Sequence, residues 1–205
     1  FEPSLLWGPI VAGDTGGSAY YLNDSVEAGN VIGARISYGP YEQDNAGAIV
    51  NALPTSPTAA TAKSSVRLGD YVYFTGDSGG VYRTQVANTA TPWSTFTQCT
   101  LDNSMAIETI ATNGTWIFGS TTTGGDNISA YAVDHATGAL TAQWTTTGIT
   151  GRVRGLDWDA SGYLYAGDGG GPTENVTGNT AHLYAIRGTD GAVTDLGQIT
   201  FNGRQ

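Results

Sequence analysis

The 205-residue chain is 40% hydrophobic and 10% aromatic, enough apolar surface for one substantial core or two small ones, so a globular fold is expected. Eighteen acidic against eight basic residues give a formal net charge of −10, which repels nucleic acid and anionic lipid and argues against polyanionic partners. Cys99 is the only cysteine, so no intrachain disulfide can form, and no apolar run approaches the roughly 20 residues a bilayer-spanning helix needs.

Only 13% of the residues are charged, and Gly, Thr, Ser and Asn take the places Lys and Glu usually hold, a balance that favours strands and turns over helices. The chain begins with Phe1 rather than Met, read as a processed N-terminus or an excised segment. Residues 1–10 alternate apolar and small positions, with Phe1, Leu5, Leu6, Trp7 and Ile10 as the apolar set, a pattern suited to adding a strand to a neighbouring sheet. The first strand-and-turn unit follows as Pro9-Ile10-Val11-Ala12, the turn Gly13-Asp14-Thr15-Gly16-Gly17, and Ala19-Tyr20-Tyr21-Leu22. Almost no strand precedes Pro9, so the first sheet is expected to lack an outer or inner strand and to present a pairing edge. Residues 51–62 form a Pro/Thr/Ala-rich insert, read as an extended linker or long loop with Thr55, Ser56, Thr58 and Thr61 as O-glycosylation candidates.

The same unit then recurs three times. A short strand at 65–68 leads through Gly69-Asp70 to Tyr71-Val72-Tyr73-Phe74, the turn Gly76-Asp77-Ser78-Gly79-Gly80 and Val81-Tyr82; Cys99 follows in a strand-like stretch, as a small buried apolar residue. Residues 107–111, the Asn113-Gly114 turn, Trp116-Ile117-Phe118-Gly119 and Ala130-Tyr131-Ala132-Val133 make the third copy, completed by the turn at 134–138 and an alternating strand at 139–144. Residues 153–158, Ala160-Ser161-Gly162, Tyr163-Leu164-Tyr165-Ala166, Leu183-Tyr184-Ala185-Ile186, a turn at 187–191 and a strand at 192–199 make the fourth. Tyr21, Tyr82, Tyr131 and Tyr184 are taken as equivalent.

Four antiparallel strands per unit at a period of about 45 to 60 residues predict an all-β protein of about four propeller-blade repeats, closing as a small ring or leaving an incomplete one. As one domain, 1–205, it divides into units at about 1–50, 63–104, 105–150 and 151–205. Ile128-Ser129-Ala130-Tyr131-Ala132-Val133-Asp134-His135-Ala136-Thr137-Gly138-Ala139-Leu140 and Gly162-Tyr163-Leu164-Tyr165-Ala166-Gly167-Asp168 resemble the blade repeats of the quinoprotein-like (PQQ-repeat-like) β-propeller superfamily. The resemblance covers about three quarters of the chain and implies a fold only, since that superfamily ranges from dehydrogenases to scaffolds and binding proteins. Its enzymes pair a quinone-stacking Trp with vicinal cysteines, and one cysteine does not support that cofactor.

Gly76-Asp77-Ser78-Gly79-Gly80 spells the nucleophile motif of trypsin-like proteases, yet the same turn recurs with Thr15 and Gly169 at the serine position. A hairpin turn that needs glycine explains all three copies. Asp157, Asp159, Ser161 and Asp168 have the spacing of oxygen ligands in a calcium loop, but Asp168 replaces the bidentate Glu and the intervening residues read as a strand. An Asx-type turn is the simpler reading, so no cofactor is assigned and calcium is kept as the one candidate ion. The sequons at Asn23, Asn113, Asn127 and Asn175 all fall on predicted turns, where a glycan can project. Tryptophans and tyrosines are read as inter-sheet packing, and His135 and His182 receive no role.

With no acid/base, nucleophile or metal cluster legible, the enzyme class ranks low and no catalytic residue is named. The expectation is a secreted or cell-surface, non-catalytic structural or adhesive glycoprotein that self-associates head to tail into a filament through its N-terminal segment. Carbohydrate-binding propeller lectin is the alternative, with glycans as possible partners, and a fragment of a secreted propeller enzyme is the second.

Overall fold

A computed structural model describes residues 63–76, 79–85, 96–121, 127–149, 151–168 and 181–198 in full, and the backbone of residues 20–26, 30–35, 41–43, 49–52 and 199. Every regular element among them is a β-strand, and the strands form four sheets in chain order. The first contains β1 (Tyr20–Val26), β2 (Asn30–Arg35), β3 (Tyr41–Gln43) and β4 (Ile49–Ala52). The second contains β5 (Ser65–Leu68), β6 (Tyr71–Thr75), β7 (Val81–Gln85) and β8 (Thr97–Gln98). After a two-residue strand β9 (Thr100–Leu101), the third contains β10 (Ile107–Thr112), β11 (Trp116–Thr121), β12 (Ile128–Val133) and β13 (Ala139–Thr145). The fourth contains β14 (Val153–Trp158), β15 (Tyr163–Asp168), β16 (Ala181–Arg187) and β17 (Val193–Ile199). Four consecutive strands of each sheet form an antiparallel meander, and the first strands lie side by side, β1 on β5, β5 on β10 and β10 on β14.

The aromatic and β-branched run Tyr71-Val72-Tyr73-Phe74-Thr75 suits a pleated surface. In β6 and β11 every position after the first is buried, whereas β13, farther out, alternates exposed with partly buried positions after Leu140. The core is correspondingly a stack of layers. One layer joins the second and third sheets through Val66, Tyr73, Ile107, Ile110, Tyr131 and Leu140; another joins the third and fourth through Phe118, Ile128, Leu164, Tyr184 and Ile186. Phe118 stacks on Trp158 at 5.1 Å with planes 9° apart, and Trp144 donates Nε1–H to the Gly188 carbonyl at 2.9 Å, so these tryptophans do pack between sheets.

Two expectations for the first sheet are corrected. Among the described residues it has four strands, the first beginning at Tyr20, rather than lacking one. Tyr21 lies on β1, the first strand of its sheet, whereas Tyr82, Tyr131 and Tyr184 lie on β7, β12 and β16, the third strands. A Gly/Asp turn followed by a tyrosine is a local signal common to both hairpins of a four-stranded meander, and only strand pairing tells them apart. Asn23 accordingly sits within β1 and not in a turn.

The strand-like stretch around Cys99 divides into β8 and β9, and the repeat pattern did not indicate where β9 would pair. That strand pairs in parallel with β13, Thr100 opposite Ala139 and Leu101 opposite Leu140, and makes the third sheet five-stranded. Asp102 fixes this addition, both carboxylate oxygens accepting the Ala142 N–H at 3.0 and 3.1 Å.

Candidate functional site

The first strands carry a charged cluster at their N-terminal ends. In β10 the ladder slips between Ile107 and Thr109, and in β14 between Val153 and Gly155, so Glu108 and Arg154 are the extra residues of two equivalent bulges. A bulge re-aims its side chain away from the regular alternation. Glu108, only 6% exposed, receives Arg152 bidentately, Nε to Oε2 at 2.7 Å and Nη2 to Oε1 at 2.6 Å. Arg154 Nη1 and Lys63 Nζ each approach Oε1 at 3.3 Å. Three sheets thus meet on one carboxylate, with the planar guanidinium giving the best-defined contact.

Backbone hydrogen bonding reinforces the junction. Ser64 Oγ donates to the Ile110 carbonyl at 3.2 Å and accepts the Ile110 N–H at 3.1 Å, while Thr75 Oγ1 donates to the Glu108 carbonyl at 2.7 Å. Chemically the cluster positions strands, since each carboxylate oxygen already accepts cationic N–H donors. Toward the C-terminal ends of the same strands lies a groove of about 200 Å³ between β5, β10 and β14, lined by Val66, Ile110, Thr112, Leu156, Asp157 and Trp158. Asp157 is exposed, and Trp158, whose ring stacks on Phe118, is half-buried.

The protease-like motif forms the β6–β7 hairpin: Gly76 N–H donates to the Gly80 carbonyl at 3.1 Å and Gly79 N–H to the Gly76 carbonyl at 3.0 Å. Gly79 has φ +75°, and a Cβ there would lie 2.4 Å from the Ala106 Cβ, so glycine is demanded by conformation and by space. Asp77 and Ser78 lie outside the described residues.

The calcium candidates are not brought together. Asp159 Oδ1 accepts the Ser161 N–H at 2.8 Å, the Ser161 hydroxyl at 2.5 Å and the Tyr163 N–H at 3.3 Å, an Asx turn. Those bonds hold the Asp159 carboxyl below the ordinary range, the Ser161 hydroxyl contributing most. Asp157 Oδ1 accepts its neighbour Trp158's N–H. Asp168 sits at the far end of β15, about 15–20 Å along a strand of that length, where it is buried and accepts the His182 N–H at 2.7 Å and the Tyr184 hydroxyl at 3.2 Å. Among the described residues no group of three or more His, Cys, Asp or Glu is placed to hold a metal.

Of the sequons, Asn113 caps the β10–β11 turn, its Oδ1 accepting the Thr115 and Trp116 N–H groups at 2.9 and 2.7 Å, and Asn127 immediately precedes β12. Asn175, the O-glycosylation candidates Thr55, Ser56, Thr58 and Thr61, and the assembly residues Phe1, Leu5, Leu6, Trp7 and Ile10 lie outside the described residues. Cys99 is buried, and burial pushes its thiol up to about 12. His135 has a packing role: it stacks on Tyr71, and its Nδ1 meets the Tyr73 hydroxyl at 3.1 Å. Arg83 lies over the Tyr71 ring at 4.5 Å and donates to the His135 and Ala136 carbonyls at 2.6 and 3.2 Å, tying the second sheet to the third. The Glu108 cluster escaped sequence reasoning; its one signal was a charged residue interrupting Ile107-Glu108-Thr109-Ile110, with Arg152 and Arg154 at strand spacing one repeat further along the chain.

No protein-family model matches the chain, and no curated protein matches it in sequence. Solved structures do match in shape. One, described as a "putative 6-phosphogluconolactonase" from Bacteroides uniformis, superposes with a TM-score of 0.56 at 17% identity, over 87% of this chain and 56% of its own. A protein of the same description from Bacteroides fragilis gives 0.50 at 14% identity, over 86% and 52%. The fold is propeller-like. BamB from Moraxella catarrhalis, at a TM-score of 0.46 and 17% identity, covers 84% of this chain and 50% of its own. The chain therefore spans just over half the length of the two lactonase-described structures it matches. No helix among the described residues is long and apolar enough to cross a membrane.

Proposed function

We propose that this chain is a non-catalytic, secreted or surface-exposed structural or adhesive propeller that self-associates by strand addition through its N-terminal segment. The observation that supports it is β9, which shows that the outer strand of a blade in this chain takes a further strand, in parallel, with an apolar residue and a carboxylate cap as its fastenings. An intermolecular strand uses the same backbone chemistry, main-chain hydrogen bonds for affinity and alternate side chains for register. Repeating that contact from copy to copy gives an open head-to-tail assembly, because donor and acceptor are different surfaces. Glycans at Asn113 and Asn127 belong to this reading, as does a location outside the cell.

Deleting residues 1–7 is expected to convert assembled material to monomer in light scattering and to remove filaments from electron micrographs. An unchanged particle size after the deletion would overturn the proposal.

A second reading, carbohydrate binding, draws on the groove in which Asp157 and Trp158 lie side by side. An exposed carboxylate in a concavity suits the hydroxyls of a sugar. Saturable binding on a glycan array, lost in Asp157→Ala, is its expected signature; a blank array removes it.

A further inference from the structure

We infer that the outer edge of the fourth blade, at Val193 on β17, is the acceptor for a strand donated by a second copy of this chain. The inference rests on the strand-addition reading above and adds the surface on which it acts.

Blades three and four end in equivalent ways. Ala139-Leu140-Thr141 follows the turn at 134–138 as Ala192-Val193-Thr194 follows the turn at 187–191. In both, the residue at the start of the outer strand, Ala139 within β13 and Ala192 just before β17, closes the hairpin: Asp134 N–H donates to the Ala139 carbonyl, and Arg187 N–H to the Ala192 carbonyl, each at 2.9 Å. Strand alternation then turns the backbone groups of the next residue, Leu140 or Val193, toward the outer edge. At Leu140 the edge is used, its carbonyl accepting the Asp102 N–H at 3.3 Å from the segment that carries β9. At Val193 nothing among the described residues pairs with that edge, since β17 pairs only with β16.

The side chains record the same difference. Leu140 is 1% exposed, covered from the β9 side by Leu101. Val193 is only partly buried, and Leu196 farther along the strand is 52% exposed, a large apolar side chain on an open edge. An incoming strand with an apolar residue beside Val193 would complete blade four as Leu101 completes blade three. Ser4-Leu5-Leu6-Trp7 offers that pattern, two leucines so that either register of the pleat presents one. A donor in a second copy follows from the open head-to-tail assembly proposed above, in which donor and acceptor are different surfaces.

Cross-linking tests this directly. Cys99 is buried, so a cysteine placed by Thr194→Cys on one chain and Ser4→Cys on another are the reactive thiols. Mixing the two single variants with a short bismaleimide is expected to give a covalent heterodimer. Val193→Pro, which removes an outward N–H that makes no ladder bond, is expected to lower its yield at least about tenfold while leaving far-ultraviolet circular dichroism unchanged. If the double variant instead links within one chain at every dilution, the edge is covered in cis and the inference is wrong. Assembly by light scattering that persists without the heterodimer and is indifferent to Val193→Pro would leave strand addition standing and place the acceptor elsewhere. A protein monomeric at all concentrations would overturn both. The cross-link reports on exposed Thr194 and remains decisive if Val193→Pro fails to fold.

Discussion

Single buried groups make this chain sensitive to alkali. Burial favours the neutral thiol of Cys99 and the neutral phenol of Tyr73, pushing each up to about 12 from ordinary values of 9.0 and 10.0. The unfolded chain loses these protons first, so the stability they contribute is complete below pH 9 and is lost as pH rises toward 12. Thermal unfolding followed from pH 8 to pH 11 should show a falling midpoint, and the fall should shrink in Cys99→Ala; a flat profile contradicts it. Gly79→Ala tests a different residue-scale demand, placing a Cβ against Ala106 at a left-handed φ. A loss of about 1–3 kcal/mol by denaturant unfolding is expected, with no special effect assigned to the adjacent serine.

At the scale of strands and turns, the contacts between blades are made by features outside the repeat consensus. The β9 addition depends on the exposed carboxylate of Asp102 accepting the Ala142 N–H. Asp102→Ala should cost about 1 kcal/mol and raise amide exchange at Ala142 selectively. Between blades three and four the indole of Trp144 reaches the Gly188 carbonyl, and Gly188 itself leaves room for Trp158, whose ring would meet a Cβ there at 2.3 Å. Trp144→Phe keeps the ring and removes the donor, with an expected loss of about 0.5–1.5 kcal/mol. The blades were legible because strand alternation, Gly/Asp turns and recurring tyrosines are local. The assignment of Tyr21 failed because the same local pattern serves either hairpin of a meander.

Across the whole molecule, Glu108 joins three blades. Replacing it by Gln keeps the shape and leaves Lys63, Arg152 and Arg154 facing a neutral amide at a site only 6% exposed. The cations are a quarter to a third exposed, so solvent compensates part of the loss, and a destabilisation of about 1–3 kcal/mol is expected. Lower cooperativity of unfolding should accompany it, because the substitution uncouples sheets that otherwise share one junction. Unfolding that remains as steep and as late as in the parent would show that the hydrophobic layers alone carry the coupling.

What the sequence determined by itself is the unit: four strands, a turn vocabulary, a repeat length and an acidic, glycine-rich surface, all properties of near neighbours in the chain. Turn chemistry even disposed of the protease-like motif, because a glycine with φ +75° is a local requirement. The tertiary structure alone decided which strand of the first sheet holds Tyr21, that β9 joins blade three, and that Glu108, Arg152, Arg154 and Lys63 meet. The last two depend on pairings between residues about 40 or more positions apart, as Glu108 from Arg152, whose partners no periodicity names, whereas the first rests on which nearby strand pairs with β1, Tyr21 lying opposite Ala34. The edge at Val193 belongs to the same class, since only the strand pairings show that no described residue pairs with it as β9 pairs with the edge at Leu140.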